Sequence, residues 1–215
     1  IMGVKWVLYK KRWALGLRAS PPRGRLQDVA RKTLAWQFPC LYGEAYPDPL
    51  RAAAEGCGAV VHRVECASPV VPRHTAHTCT PGRTLWAYDA SPVLRAFARE
   101  VALGIAPMWE APPVVLHYLK TGDESIRGEA RATTWSLNRG LRDRADMANS
   151  AAWWATTQPA TARVAAHVTA LRAADAQAGP NAGVTAIAKA KRPYSKRLGQ
   201  LLEDGRRLYS QRVVS

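Results

Sequence analysis

Residues 91–105, SPVLRAFAREVALGI, contain the strongest structural signal in the chain. Apolar side chains recur there every three or four residues, which places them on one face of an α-helix: Leu94, Phe97, Ala98, Val101, Ala102 and Ile105. Ser91 is a candidate N-cap, and Pro92 suits the first helical position because an N–H has no intrahelical partner there. We expect a helix that buries this face and ends before Pro107.

Weaker helical patterns lie on both sides of this segment. Upstream, the apolar residues of 25–38 lie on one helical stripe, which predicts a helix that ends at Pro39. Downstream, Pro113 opens a short helix, and Thr121 with Glu124 has the spacing of a capping box. That box precedes a further predicted helix, which carries Ile126, Ala130 and Leu137 and is closed by Gly140.

Three more helices are predicted over residues 141–157, 160–178 and 194–209. The second has large aliphatic side chains on one face: Val164, Val168 and Leu171. The third carries four leucines: Leu198, Leu201, Leu202 and Leu208. Short turns with Gly and Pro between helices permit close antiparallel packing. The predicted fold class is therefore mainly α: an irregular helical array or bundle with little sheet, a Pro/Cys-rich irregular segment and basic terminal arms.

The pattern changes between residues 40 and 89. This stretch is rich in Pro and Gly and contains all four cysteines and three of the five histidines. Only residues 49–55 have a helical pattern, and only residues 59–65 have the pattern of a strand. We expect the remainder to be irregular, and either stapled by cross-links or wrapped around a partner.

Positive charge is concentrated at the two ends of the chain. Residues 1–27 contain seven Lys/Arg and no acid, residues 189–215 contain eight against two, and residues 28–188 contain 16 against 14. The net charge of +15 is thus almost entirely terminal. We therefore divide the chain into a basic amphipathic arm (1–27), a helix with the irregular segment (28–89), a helical body (90–188) and a basic C-terminal helix or arm (189–215).

Basic ends on a nearly neutral body are suited to docking onto an anionic partner. The candidate contacts with anionic lipid or phosphate are Lys10, Lys11, Arg12, Lys191, Arg192, Lys196 and Arg197. The candidate interface aromatics are Trp6 and Trp13, which share one helical face. An acid-free amphipathic beginning is typical of a mitochondrial transit peptide, and the alternative is a basic arm kept on the mature protein. We expect both ends to be ordered mainly by contacts with partners.

The four cysteines are candidates for disulfide bonds: Cys40, Cys57, Cys66 and Cys79. An even number of cysteines in a segment poor in core residues favours pairing. A zinc site with His62, His74 or His77 is conceivable, but no CxxC spacing is present. Unpaired structural cysteines are the third possibility, and the sequence leaves all three open.

Signatures of catalysis are missing from the sequence. There is no GxSxG elbow and no glycine-rich phosphate loop of the GxGxxG or GxxxxGK[ST] type. His117 and His167 lie among apolar residues, where a hydrogen-bonded structural histidine is expected. The longest uncharged run, residues 147–162, contains too many polar side chains for a membrane span. We predict no catalytic residue, no cofactor, no metal and no transmembrane helix.

These features together favour a non-catalytic accessory subunit of a large mitochondrial inner-membrane assembly, such as a respiratory complex or the ATP synthase. The expected location is peripheral, and the expected partners are other subunits and an anionic lipid such as cardiolipin. One alternative is an organellar ribosomal protein whose basic arms bind rRNA. Another is a small zinc- or disulfide-containing binding protein.

Overall fold

Helices dominate the fold, which confirms the mainly α class. The computed structural model describes residues 33–39, 43–73, 76–137 and 143–213, which all belong to one unit, Lys32–Ser215. Seven α-helices lie within these residues: α1 (Pro49–Glu55), α2 (Ser91–Ile105), α3 (Pro113–Thr121), α4 (Arg127–Ser136), α5 (Arg144–Ala155), α6 (Ala162–Ala178) and α7 (Val184–Val213). Short 3-10 turns, Ala106–Met108 and Pro159–Thr161, precede α3 and α6.

The segment before α2 is more regular than the sequence indicates. Its described residues form five strands: β1 (Leu34–Gln37), β2 (Val60–Cys66), β3 (Val71–Arg73), β4 (Ala76–Thr78) and β5 (Pro81–Asp89). An antiparallel sheet has the order β1-β2-β5, and β3 pairs with β4 in a separate hairpin. Its register places Trp36 opposite Arg63 and Arg63 opposite Trp86, so these three side chains share one row.

This sheet corrects two predictions. The helix expected over 25–38 is wrong at its C-terminal end, where β1 pairs with β2. The segment expected to be irregular supplies β5 as well as the predicted helix and strand. Strand pairing depends on partners far along the chain, and a local pattern does not contain that information.

Helix α2 buries the predicted face: Leu94, Phe97, Ala98, Val101, Ala102 and Ile105. Its N-terminus differs from the prediction, because Ser91 is the first helical residue and not the cap. Asp89 Oδ1 accepts hydrogen bonds from the Ser91 backbone N–H at 2.9 Å and from Ser91 Oγ at 2.6 Å. A carboxylate in this position also interacts favourably with the helix dipole.

The capping box predicted before α4 does not form. Thr121 Oγ1 donates to the carbonyl of His117 and accepts from the backbone N–H of Asp123, so it belongs to the end of α3. The Glu124 carboxylate binds the guanidinium groups of Arg95 and Arg127. These ion pairs connect the turn before α4 to α2. The predicted closing residue, Gly140, lies outside the described residues.

Helix α6 lies at the centre of the helical layer and packs against α1, α2, α5 and α7. Its buried face consists of small residues: Ala162, Ala165, Ala166, Thr169, Ala170, Ala173, Ala174 and Ala176. The face expected from the larger side chains is only half-buried: Val164, Val168 and Leu171. Small side chains let helix axes approach closely, and four neighbours require such approach on several sides.

Helix α7 begins ten residues earlier than predicted and contains Pro193 in its interior. It packs against the rest of the fold through Leu198 and Leu202, both fully buried. Tyr88 Oη donates a hydrogen bond of 2.7 Å to the carbonyl of Leu202. At Gly205 a Cβ atom would lie 2.7 Å from Tyr88 Oη, so this contact needs a glycine. The expectation that the C-terminal segment is ordered mainly by partners is therefore wrong for α7.

One disulfide closes the strand region. Cys66, at the end of β2, is bonded to Cys79, which follows β4, and their Cα atoms are 5.8 Å apart. Cys57 is also disulfide-bonded, and Cys40 lies outside the described residues. The bond between Cys66 and Cys79 closes a loop that contains the β3–β4 hairpin.

The buried face of α2 predicts a large cost for truncation at its centre. Phe97→Ala should lower the free energy of unfolding by about 3 kcal/mol or more, because a large cavity forms beneath α2. Val184→Ala is the matched control: Val184 is 85% exposed, and its truncation should change stability by less than about 0.5 kcal/mol. Urea denaturation measures both, and equal effects would contradict the assignment of the core.

Candidate functional site

A basic cleft lies between α7 and the turn that precedes α1, with a volume of about 490 Å³. One wall is formed by α7 and carries Lys191, Arg192 and Lys196. The other is formed by Pro47, Asp48 and Pro49, and Trp36 of β1 completes the lining. We call this group of residues the basic cleft.

The helical repeat of α7 brings the three cations together. Arg192 and Lys196 are four residues apart, as are Lys191 and Ser195, so all four lie on one face of the helix. None of the three cations forms a salt bridge with any residue that the structure describes. Their charge is therefore available to a ligand.

Arg197, the fourth cation predicted in this segment, has a different role. Its Nε and Nη2 atoms bind the two oxygens of Glu100 at 2.7 and 2.9 Å. This hydrogen-bonded contact raises the pKa of Arg197 above its ordinary value. The bidentate pair ties α7 to α2, so the structure separates Arg197 from the three cations of the cleft.

Asp48 joins the two walls of the basic cleft. Its Oδ1 atom caps α1 by accepting hydrogen bonds from the backbone N–H groups of Leu50 (2.8 Å) and Arg51 (3.3 Å). The same atom accepts a 2.6 Å hydrogen bond from Ser195 Oγ on α7. The Asp48-Pro49 pair is a recognisable helix start, but its contact with a residue 147 positions away is not visible in the sequence.

The floor of the cleft is aromatic. Trp36 is only 4% exposed, and the Arg63 guanidinium lies 4.2 Å from its ring centroid. The rings of Trp36 and Trp86 pack edge to face, with their centroids 5.8 Å apart. Burial lowers the pKa of Arg63, and Glu203, 3.4 Å away, opposes this shift. Trp36 and Trp86 thus give the cleft an apolar wall beside the cations of α7.

The positive field extends to α6 behind the cleft. Burial lowers the pKa of His167 below its ordinary value of 6.5, and the charges of Lys191, Arg51 and Arg163 lower it further. A hydrogen bond with the backbone of Leu50 acts in the opposite direction. The imidazole is therefore held neutral next to a cluster of cations.

The remaining candidate residues cannot be placed. Lys10, Lys11, Arg12, Trp6 and Trp13 lie outside the described residues, as does Cys40. Within the described ranges, no group of three or more His, Cys, Asp or Glu side chains could hold a metal ion. The same ranges contain no helix with the length and hydrophobicity that a membrane crossing requires.

Comparisons with protein-family models, with curated proteins and with solved structures find no match to this chain. Function must therefore be inferred from the residues themselves. The basic cleft combines one carboxylate, Asp48, with an apolar wall and three cations that have no salt-bridge partner among the described residues, and this combination can bind a phosphate or carboxylate group that carries an apolar substituent.

The double role of Asp48 predicts a coupling between α1 and α7. Asp48→Ala should cost about 2 kcal/mol of stability, because both the helix cap and the bond to Ser195 are lost. Asp48→Asn should cost less than about 1 kcal/mol, because asparagine is an equally good cap. A double-mutant cycle with Ser195→Ala measures the coupling, and additive effects would show that the two walls are independent.

The half-buried position of His167 predicts that stability falls in weak acid. The unfolded chain binds a proton at a higher pH than the folded chain, so the free energy of unfolding decreases as the pH falls through about 6.5. It levels off below the pKa of the folded state. In urea denaturation, His167→Gln should reduce the pH dependence of the free energy of unfolding. His62→Gln should reduce it by a further amount, because burial lowers the pKa of His62 too. A slope unchanged by His167→Gln would contradict the assignment.

Proposed function

We propose that this protein is a non-catalytic docking subunit that binds the phosphate groups of an anionic lipid surface through the basic cleft. The observation that carries the proposal is the group of three cations on one face of α7, Lys191, Arg192 and Lys196, which form no salt bridge within the described part of the chain. Each lysine or arginine near an anionic membrane surface contributes about 1 kcal/mol to attachment.

The surroundings of the cations favour lipid over nucleic acid. Val184 and Ala188 continue the face of Lys191 towards the N-terminus of α7, and Val184 is 85% exposed. An exposed apolar side chain beside cations suits the boundary between headgroups and acyl chains. Binding of single-stranded RNA instead uses exposed aromatic rings on which bases stack, whereas Trp36 is buried.

We further propose that the protein belongs to an assembly of the mitochondrial inner membrane, such as a respiratory complex or the ATP synthase. The basic, acid-free sequence of residues 1–27 supports this proposal, because it is typical of mitochondrial targeting segments. Cardiolipin is then the expected lipid, since its headgroup carries two phosphates that three clustered cations can bind together. Other subunits of the assembly would bind elsewhere on the protein.

Vesicle sedimentation tests the lipid-binding proposal. The protein should bind vesicles of phosphatidylcholine mixed with cardiolipin, and not vesicles of phosphatidylcholine alone. Replacing Lys191, Arg192 and Lys196 by glutamine should weaken binding about a hundredfold. A matched triple variant replaces three exposed cations elsewhere, Arg83, Lys120 and Arg207. It should weaken binding less than about threefold.

Two outcomes would contradict the proposal. Equal losses in the two triple variants would mean that net charge alone drives attachment. Binding to an RNA hairpin that depends on the three cleft cations, without binding to cardiolipin vesicles, would support the ribosomal alternative. Val184→Ser distinguishes lipid binding from RNA binding, since it should weaken vesicle binding and leave RNA binding unchanged.

A further inference from the structure

The wall of the basic cleft that faces α7 is held through the two residues that precede it. Residues 47–49 form this wall, and Ala45 and Tyr46 come directly before them. Tyr46 pairs with Trp36 of β1: the Tyr46 N–H donates to the Trp36 carbonyl at 2.8 Å, and the Trp36 N–H donates to the Tyr46 carbonyl at 2.7 Å. This pair connects the wall to the aromatic floor of the cleft.

Ala45 pairs in the same way with Cys79. The Ala45 N–H donates to the Cys79 carbonyl at 3.1 Å, and the Cys79 N–H donates to the Ala45 carbonyl at 2.9 Å. The bridge lies outside the strands, so no strand ladder among the described residues supports it. Two backbone hydrogen bonds add little net stability by themselves, because water can replace each partner. The position of the wall therefore depends on what holds Cys79.

A disulfide bond holds Cys79. Its partner is Cys66, the last residue of β2, and β2 is the central strand of the three-stranded sheet. Cys66 is fixed in turn, because its backbone N–H donates to the carbonyl of Thr33 at 2.9 Å. The bond is thus a covalent connection from the centre of the sheet to the residue that pairs with the wall segment.

The non-covalent contacts near Cys79 are weaker. Cys79 is 3% exposed and belongs to a small cluster of its own, whose other buried members are Ala35, Ala45 and Val64. Alanine side chains bury little apolar surface. The hydrogen bond from the Ala67 N–H to the Thr80 carbonyl lies between two exposed residues, and Pro81, which begins β5 opposite Cys66, has no N–H to donate. Much of the order at Cys79 therefore comes from its disulfide bond.

We propose that the bond between Cys66 and Cys79 is a redox switch of the basic cleft, which binds anionic lipid in the oxidised protein and binds it more weakly after reduction. The switch rests on the proposed lipid-binding function. When the bond is broken, the bridge between Cys79 and Ala45 opens, and the wall no longer keeps its position against α7. The cations stay in place, because Arg197 and two buried leucines attach α7 independently.

The contacts of Asp48 determine the direction of the effect. In the oxidised protein, Asp48 Oδ1 accepts hydrogen bonds from the N–H groups of Leu50 and Arg51 and from Ser195 Oγ. These donors compensate the carboxylate beside the cations. When the wall moves, the bond to Ser195 is lost, and the carboxylate competes with a phosphate for the cations. The apolar side of the cleft is lost as well, so lipid binding weakens.

A dithiol is the class of reductant that would operate the switch. One of its thiolates attacks Cys66 Sγ, since Cys66 is partly exposed and Cys79 is buried. The S–S bond breaks, a mixed disulfide forms on Cys66, and Cys79 leaves as a thiolate that takes up a proton. The second thiol of the reductant then releases Cys66 as a thiol and closes a disulfide within the reductant. Two electrons and two protons pass to the protein, and the reverse exchange restores the bond.

Amide hydrogen exchange tests whether the disulfide bond holds the wall. In the variant that combines Cys66→Ala with Cys79→Ala, the Ala45 N–H should exchange at least about tenfold faster than in the oxidised unmodified chain, and amides within α2 should change less than about twofold. Dithiothreitol should cause the same increase in the unmodified chain, where no side chain is removed. An unchanged rate at Ala45 would overturn the proposal. An equal increase throughout α2 would also overturn it, because the bond would then stabilise the whole fold.

Vesicle sedimentation tests the effect on lipid binding. In the double variant, the dissociation constant for vesicles that contain cardiolipin should rise at least about threefold, in inverse proportion to the fraction of molecules whose wall is in place. Dithiothreitol should weaken binding equally in the unmodified chain. The double variant is the matched control, since it keeps the disulfide bond of Cys57, and dithiothreitol should not weaken its binding further.

The two measurements separate the possible failures. Faster exchange at Ala45 with unchanged vesicle binding would overturn the switch. A further loss of binding when the double variant is reduced would assign the effect to Cys57 and would also overturn it. If the oxidised unmodified chain binds no vesicles, the proposed function itself fails, and the exchange rates show independently whether the bond holds the wall.

Discussion

The close approach of helices to α6 is the constraint on which the remaining structure depends. One helix can contact α1, α2, α5 and α7 only if its buried side chains are small, and the buried face of α6 consists of alanines and one threonine. Larger side chains on that face would separate the axes. The position of α7, and with it the wall that carries the cations, is therefore set by small residues that do not line the basic cleft.

Polar contacts also hold α7 in place at several positions along its length. Ser195 is bound to Asp48, Arg197 to Glu100, and the carbonyl of Leu202 to the hydroxyl of Tyr88. The buried side chains of Leu198 and Leu202 supply the apolar part of the packing. Because each polar contact reaches a different element, the helix is held against α1, α2 and β5 at once. The backbone that carries the cations of the basic cleft is thus fixed, so that only their side chains need to be ordered when an anion binds.

Local patterns in the sequence were sufficient for part of this structure. The face of α2 and the helix Pro49–Glu55 follow from apolar spacing and proline position, and Lys191, Arg192 and Lys196 cluster because of the helical repeat. The sheet was largely missed, since β1 and β5 exist only through pairing with β2. For α6, hydrophobicity alone predicts that Val164, Val168 and Leu171 form the buried face. The alanines form it instead, because the neighbouring helices pack too closely for larger side chains. Trp36 and Asp48 could not be assigned to the site, because long-range folding alone brings them to α7.

Gly205 has a consequence for how the sequence of α7 can change. On either side of it, Asp204, Arg206 and Arg207 face solvent, and substitutions there alter charge without moving the backbone. At position 205, a single methyl group would meet both the Tyr88 hydroxyl and a methyl group of Val93 at 2.7 Å. In a library of random substitutions, position 205 would therefore be intolerant, as the buried Leu202 is, although the charged positions next to it are permissive. The freedom of this segment to drift is thus limited at a residue that has no side chain.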